Sequence, residues 1–266
     1  MPQNYRFLSV LVTDSPFKRI VYILSFICIA VGGQQARGQA APDTSRLVAT
    51  SVAVLDKQYA QAFAAHPQLY NGPEYVDYAK PYHARVGHQY FLTDEKQPGS
   101  IYYNNHYFSD LLLAYDVVFD QIVIQHVTSP LTLRFLDKDV RYFTINQHRF
   151  IRLEADSTAA SGFRTGYYEV LVDSTVQLVA KRAKRKQERI NQRYVDIEFT
   201  DIDKLFLKKD GPYHPVSKKS SVTRLFADHS KEVQQYIKDN KLKFRKASRE
   251  ADLVQLTRYY AGLRTQ

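Results

Sequence analysis

The chain has 266 residues, with 37 Lys and Arg against 27 Asp and Glu, so its net charge at neutral pH is +10. It is long enough to bury a substantial core as one large domain or two small ones. Its single cysteine, Cys28, excludes both an internal disulfide and a metal site built from several cysteines.

A predominantly apolar segment near the N-terminus has the layout of a secretory signal peptide. Lys18 and Arg19 precede this segment, residues 20–31, and small residues follow it up to Ala40. This order of a basic, an apolar and a small-residue region predicts export and cleavage after residues 1–40. A retained membrane anchor is the weaker alternative, because a transmembrane helix needs roughly 17 to 25 apolar residues.

Cleavage would leave a mature chain of 226 residues with 33 basic and 26 acidic side chains, a net charge of +7. Cys28 would be removed with the leader, so the mature chain would carry no thiol. We therefore expect a periplasmic, outer-membrane-associated or extracellular protein, with no transmembrane span after processing.

Residues 41–84 are predicted to form an N-terminal helix and a connector. Between residues 44 and 66, apolar side chains recur every three or four positions, which is typical of an amphipathic helix. Pro67 would end this helix.

Residues 85–216 are predicted to form an antiparallel β-unit of about eight to eleven strands. Apolar and polar side chains alternate there, and turn residues recur every 8 to 12 positions, as at Asn104 and Asn105, at Asp120, and at Asp210. The 20 tyrosines and 15 phenylalanines of the chain suit a half-buried pleated surface. The unit is expected to be a sandwich or a partly open barrel.

Residues 217–266 return to helical spacing and are predicted to form a C-terminal helical cap. Ser230 and Ser248 are suitable N-caps for two amphipathic helices. Because each helix alone is too short to be stable in water, we expect them to pack on the β-unit. The predicted fold class is therefore α+β, mainly antiparallel β, with an N-terminal helix and a C-terminal helical cap.

The strongest charge feature is a basic run that contains one acidic residue, Glu188. One interpretation is a contact with anionic lipid head groups or an acidic partner. The favoured interpretation is a solvated hairpin loop that follows a strand ending near Lys181. Nucleic acid is the less favoured partner because export keeps the chain away from it. The cations of the run are Lys181, Arg182, Lys184, Arg185, Lys186, Arg189 and Arg193.

Tyrosines are densest between residues 70 and 107, where Tyr102, Tyr103 and Tyr107 are candidates for a sugar-binding or peptide-binding face. Amphipathic rings on a rigid sheet suit such a role. The alternative is that these rings fill core and edge positions.

No cofactor loop, catalytic triad or metal-ligand cluster is recognisable in the sequence, so no cofactor, metal or catalytic residue is predicted. His83 and His88 lie five apart, which matches neither one face of a strand nor one face of a helix. Asp116 and Asp120 share strand parity, as a glycosidase carboxylate pair would. We favour a turn position for Asp120, and an edge or backbone-bonding role for Asp116.

With these features in place, the mature chain resembles a family of exported proteins of Bacteroidota that has no established activity. The resemblance implies an envelope or secreted location and a shared β-plus-helix architecture, without catalytic residues. The segments that carry it are Leu69-Tyr70-Asn71-Gly72, Glu74-Tyr75, Gly99-Ser100-Ile101-Tyr102-Tyr103, Leu113-Ala114-Tyr115-Asp116, Lys218-Lys219-Ser220, Tyr236-Ile237-Lys238, Asn240-Lys241-Leu242-Lys243-Phe244 and Tyr259-Tyr260.

The sequence thus predicts an exported envelope protein that acts as a non-catalytic binding or structural module. Its expected partner is an envelope protein, a glycan or an anionic membrane surface. The alternative is a secreted or periplasmic hydrolase whose active site lies in the β-unit.

Overall fold

A computed structural model describes residues 66–127, 129–155, 162–190 and 192–264, together with Val52 and Val54. Apart from those two valines, the described residues belong to one compact unit, Ala60–Gln266. The predicted signal peptide lies outside the described residues. The predicted N-terminal helix lies outside them too, except for Val52 and Val54, which are helical, and His66.

Thirteen strands are described between residues 85 and 215. They are β1 (Arg85–Val86), β2 (Gln97–Tyr103), β3 (His106–Asp116), β4 (Gln121–Gln125), β5 (Thr132–Arg134), β6 (Val140–Ile145), β7 (His148–Leu153), β8 (Gly166–Asp173), β9 (Gln177–Lys181), β10 (Lys184–Ile190), β11 (Val195–Asp201), β12 (Lys204–Lys208) and β13 (Tyr213–Pro215). Short 3-10 helices span Pro67–Tyr70, Asp137–Asp139 and Ala227–His229.

Ten of these strands form one antiparallel sheet in the order β13-β12-β9-β8-β7-β6-β2-β3-β4-β5. The sheet is open, because β5 and β13 lie at its two ends. It is also strongly curled: Asp120, in the turn between β3 and β4, lies 2.7 Å from the Lys181 ammonium at the end of β9. In a flat sheet, β3 and β9 would be about 24 Å apart. The mainly antiparallel fold predicted from the sequence is therefore confirmed, as an open curled sheet.

Two hydrophobic clusters account for most of the core. The concave side of the curl holds the first, in which the rings of Tyr115, Phe143 and Phe150 meet at centroid distances of 4.7 to 5.3 Å. The second lies between β8, β9 and β12 and the C-terminal helices, and contains Leu178 and Leu256. Alternation along each strand therefore supplies apolar side chains to one cluster or the other.

The remaining three strands form a small sheet in the order β1-β11-β10. β10 and β11 are antiparallel, whereas β1 and β11 are parallel. Ile197 and Phe199 of β11 pack against Ala79 on the inner face. A loop was predicted where β10 lies, and the parallel pairing of β1 with β11 was not predicted.

Three α-helices follow the strands: α1 (Lys219–Leu225), α2 (Ser230–Asp239) and α3 (Arg249–Leu263). The prediction of helices packed on the β-unit is confirmed, although α1 was not predicted. Ser248 occupies the N-cap of α3 as expected, but its hydroxyl bonds Asp252 in the first turn. Ser230 is the first residue of α2, and His229 is its N-cap.

Candidate functional site

The first two cations of the basic run are held inside the protein. Lys181 contacts Asp120 and also donates to the backbone oxygen of Tyr167 at 3.1 Å, and burial lowers the pKa of its ammonium. The largely buried Arg182 contacts Glu169, Asp203 and Glu250 at 2.5 to 2.8 Å. Both side chains are therefore structural.

Most of the remaining cations of the run lie on β10, an edge strand of the small sheet. Lys184 donates to the backbone oxygens of His88 and Tyr90 at 2.9 and 2.7 Å, and burial lowers the pKa of Lys184. Lys186 pairs with Glu188, and Arg189 pairs with Glu198.

Arg185 and Arg193 are exposed, with no ion pair to another described residue. The solvated-loop interpretation of the run was wrong in its geometry, because residues 184–190 form a strand. The electrostatic contact with an anionic surface or an acidic partner stays a prediction. Because the other cations of the run have partners within the fold, that contact would depend mainly on Arg185 and Arg193.

The three candidate tyrosines lie on opposite faces of the large sheet. Tyr103 is fully buried in the core, where its hydroxyl donates to Asn71 at 2.6 Å. Tyr102 is half-buried on the outer face, and its cross-strand partner on β3 is Tyr107, whose ring is 58% exposed. Tyr103 therefore cannot reach an external ligand.

The tyrosine row, as we call Tyr107, Tyr102 and Tyr142, crosses three neighbouring strands. Tyr102 is in register with Tyr107 on β3 and with Tyr142 on β6. The Tyr102 and Tyr142 rings are stacked, with centroids 5.5 Å apart. Strand pairing therefore aligns the three rings on one rigid outer surface.

Two guanidinium groups flank the tyrosine row. The Cζ atom of Arg141 lies 5.4 Å from the centroid of Tyr102, and that of Arg149 lies 5.4 Å from the centroid of Tyr142. Arg141 occupies a β-bulge, because the pairing of β2 and β6 shifts between Tyr102 and Tyr103. A bulge leaves one residue unpaired and re-aims its side chain, which accounts for an arginine beside the tyrosine ring.

A polar cavity of about 350 Å³ adjoins one end of the row. Tyr102 and Arg141 belong to its lining, so the row and the cavity form one continuous surface. The other polar groups of the lining are the side chains of Asn104, Asn105, Lys138, Asp139, Arg152 and Glu154. Amide, carboxylate and guanidinium groups together offer both hydrogen-bond donors and acceptors.

Tyr142, Arg141 and Arg149 were missed by the sequence analysis. The alternation of apolar and polar side chains around residue 142 predicts that a strand lies there. It does not predict which strand pairs with it. The pairing of Tyr102 with Tyr142 joins positions 40 residues apart, and no local pattern encodes it.

Asp116 and Asp120 are held by separate sets of hydrogen bonds. Asp116 is fully buried and accepts hydrogen bonds from the Tyr75 and Tyr78 hydroxyls and from two backbone amides, at residues 118 and 119. Burial raises its pKa. Asp120 lies in the β3–β4 turn and accepts from the Tyr115 hydroxyl at 2.5 Å. The favoured interpretation, a turn residue and a backbone-bonding carboxylate, is confirmed.

A histidine and a carboxylate form a separate pair elsewhere in the fold. His148 Nδ1 lies 2.5 Å from an oxygen of the buried Glu169 carboxylate. His148 lines a cavity of about 280 Å³ together with Arg182, Lys184, Asp201 and Asp203. His148 was not predicted as a site residue, because its partner Glu169 is 21 residues away in the sequence.

Among the residues that the structure describes, no three His, Cys, Asp or Glu side chains are grouped so that they could bind a metal ion. No helix in that part of the chain has the length and apolarity to span a bilayer. Comparisons with protein-family models, with curated proteins and with solved structures gave no match to this chain.

Proposed function

We propose that the protein is an exported envelope module that binds a glycan on the tyrosine row and in the adjoining polar cavity. The observation that carries the proposal is the continuity of the two: Tyr102 belongs to both. Small-molecule sites combine aromatic walls with a few fixed polar groups, and sugars need both, because their rings have apolar faces and hydroxyl edges.

The rigidity of the row supports this role. The three rings stand on paired strands, so little conformational freedom remains to be lost on binding. Their placement across β3, β2 and β6, about 4.8 Å apart per strand, suits an extended chain of sugar rings better than a compact ligand.

Export supports an envelope glycan as the natural class of partner. This part of the proposal depends on residues 1–40 acting as a signal peptide, and the native protein should then begin at Ala41. Mass spectrometry of the native N-terminus tests it. A cytoplasmic protein that is intact from Met1 would contradict it.

Affinity electrophoresis tests glycan binding. Gels would contain neutral dextran or xyloglucan, acidic polygalacturonate, or protease-treated envelope polysaccharide. We expect retardation by at least one of these polymers and a several-fold weaker effect for Tyr107→Ser, whose exposed ring can be removed without opening the core. Unretarded migration in all four gels contradicts the proposal.

Arg141→Gln and Arg185→Gln form a matched pair of variants for the same gels. Each removes one positive charge, but only Arg141 lies beside the tyrosine row. We expect weaker retardation for Arg141→Gln alone. Weaker retardation for Arg185→Gln alone would instead indicate that the glycan binds at the basic run.

A secreted hydrolase is the second candidate, and the His148–Glu169 pair is the observation that favours it. A buried carboxylate bonded to one ring nitrogen orients an imidazole for proton transfer by the other. Hydrolysis of 4-nitrophenyl acetate or 4-nitrophenyl glycosides that disappears in His148→Gln would support it. Equal hydrolysis rates for the wild type and the variant would contradict the hydrolase proposal.

A further inference from the structure

A second concave surface, separate from the tyrosine row and its cavity, lies over the outer face of β3 and β4. This apolar groove has a volume of about 700 Å³. Leu112, Ala114 and Val123 belong to its lining, and Ala114 and Val123 are cross-strand partners. Ala114 and Val123 are buried, whereas Leu112 and Val127, which also lines the groove, are 59% and 60% exposed. Part of the apolar lining is therefore uncovered.

The groove has an acidic rim formed by Asp94, Glu95 and Asp110. One lysine, Lys96, also lines it, and its ammonium donates to the Gln125 side chain at 3.1 Å. The three carboxylates and the one lysine of the groove sum to a charge of −2, whereas the whole chain carries +10. The groove therefore differs in charge from the protein as a whole.

A bulge in β3 places one of these carboxylates. Residue 101 pairs with residue 108 and residue 99 pairs with residue 111, so Ser100 lies opposite both Ser109 and Asp110. The backbone of Asp110 is left-handed, with φ at 57°. Such a conformation is uncommon for a residue other than glycine, and bulges of this kind are over-represented beside functional sites.

We propose that the apolar groove docks an extended segment of a partner protein in which apolar side chains alternate with Lys or Arg. The apolar side chains would cover Leu112 and Val127, the exposed apolar residues of the lining, and the cations would face the acidic rim. Groove volumes of several hundred Å³ are typical of ligand sites. An anionic lipid surface is a poor occupant, because the rim would repel its head groups.

Fluorescence anisotropy with labelled octapeptides tests the proposal. The probes are an alternating Lys-Leu peptide and its Glu-Leu counterpart. We expect the full-length protein to bind the lysine peptide at least tenfold more tightly than the glutamate peptide. Raising the salt concentration should reduce the ratio of the two peptide affinities, because salt screens the attraction between the acidic rim and the lysine side chains.

Two variants assign the binding to the groove. Leu112→Ser removes exposed apolar surface, and Asp110→Asn removes one charge while keeping a residue that tolerates left-handed backbone. Each should weaken binding of the lysine peptide threefold or more. The matched controls are Ile190→Ser, an 80% exposed apolar side chain on β10, and Glu232→Gln, an exposed acid on α2; both should bind as the wild type does.

Several outcomes would overturn the proposal. They are no binding of the lysine peptide, equal binding of the two peptides, and unchanged affinity in both groove variants. Binding to phosphatidylcholine vesicles in place of the peptide would identify a lipid surface as the occupant. Circular dichroism of each variant verifies that it is folded before its affinity is compared.

Discussion

The hydroxyl of Tyr75 donates a 2.8 Å hydrogen bond to Asp116, a carboxylate that is fully withdrawn from solvent. The bond joins the segment before β1 to the end of β3 across 41 residues of sequence. It also joins two of the segments that carry the resemblance described above. Another two of these segments are joined by the hydrogen bond from the Tyr103 hydroxyl to the Asn71 side chain. Both hydrogen bonds therefore join segments that are distant in sequence.

The first prediction concerns this bond. Tyr75→Phe should lower the free energy of unfolding by about 1.5 to 3 kcal/mol, because a hydrogen bond to a buried charged group is lost. Urea denaturation at pH 7 measures it. The control is Tyr107→Phe, at an exposed ring, which should change stability by less than about 0.5 kcal/mol. Equal effects of the two substitutions would show that the bond contributes little.

The second prediction concerns Arg182, which joins β8, the loop between β11 and β12, and α3 through Glu169, Asp203 and Glu250. Burial opposes its charge, but the carboxylates outweigh burial and raise the pKa of Arg182. Arg182→Gln leaves the Glu169 carboxylate buried with His148 as its one remaining side-chain partner among the described residues. Breaking a buried pair in this way costs about 3 to 5 kcal/mol of unfolding free energy.

Urea denaturation again gives the measurement, and Arg189→Gln is the matched control. Arg189 pairs with Glu198 on the exposed face of the small sheet, where an ion pair contributes about 0.2 to 1 kcal/mol. If Arg182→Gln is no more destabilising than this control, the arginine does not hold α3 against the strands.

The third prediction compares two glycines. A Cβ atom at Gly99 would lie 2.2 Å from the backbone oxygen of Thr144, whereas one at Gly262 would meet nothing within 4 Å. Gly99→Ala should therefore destabilise the protein by about 1 to 3 kcal/mol, because strands β2 and β6 must move apart. Gly262→Ala, within α3, should stabilise it by about 0.5 to 1 kcal/mol. Thermal unfolding measures both, and a shift of the same sign in the two variants would contradict the argument.

Local signals explain what the sequence could predict. Turn positions were found because Asn104, Asn105, Asp120 and Asp210 are residue types that tolerate left-handed backbone, and all four have positive φ. The β-unit over residues 85–216 was predicted because period-two alternation records which side of a strand faces the core. These features depend only on neighbouring residues.

Long-range pairing explains what the sequence could not predict. The basic run was interpreted as a surface feature because the carboxylates that bind Arg182 lie 13, 21 and 68 residues away from it. The tyrosine row was found only in part, since its third ring comes from another hairpin. Alternation gives the face of a side chain, but the neighbour of a strand is fixed by the whole fold.

The last prediction concerns Asp228, before α2, which accepts from Lys209 at 2.7 Å and from the Tyr260 hydroxyl at 2.6 Å. Burial raises the pKa of this carboxyl, but the two hydrogen bonds and the lysine charge outweigh burial and lower it to about 2. Because the folded pKa lies below the unfolded value of 3.8, the ion pair stabilises the protein above about pH 4. This stabilisation is lost as the pH falls towards 2.

Lys209→Gln should bring the pKa of Asp228 back towards its ordinary value, which carboxyl-resolved NMR titration measures directly. Because the Asp228 side chain is 44% exposed, solvent screening limits the loss of unfolding free energy at pH 7 to about 1 kcal/mol. The difference between variant and wild type should shrink between pH 4 and pH 2, because the Asp228 carboxyl becomes increasingly protonated as the pH approaches its folded pKa. Lys231→Gln, which removes an exposed charge from α2, is the control. A difference that stays constant down to pH 2 would mean that Lys209 acts through its packing over the Tyr260 ring, independently of the Asp228 charge.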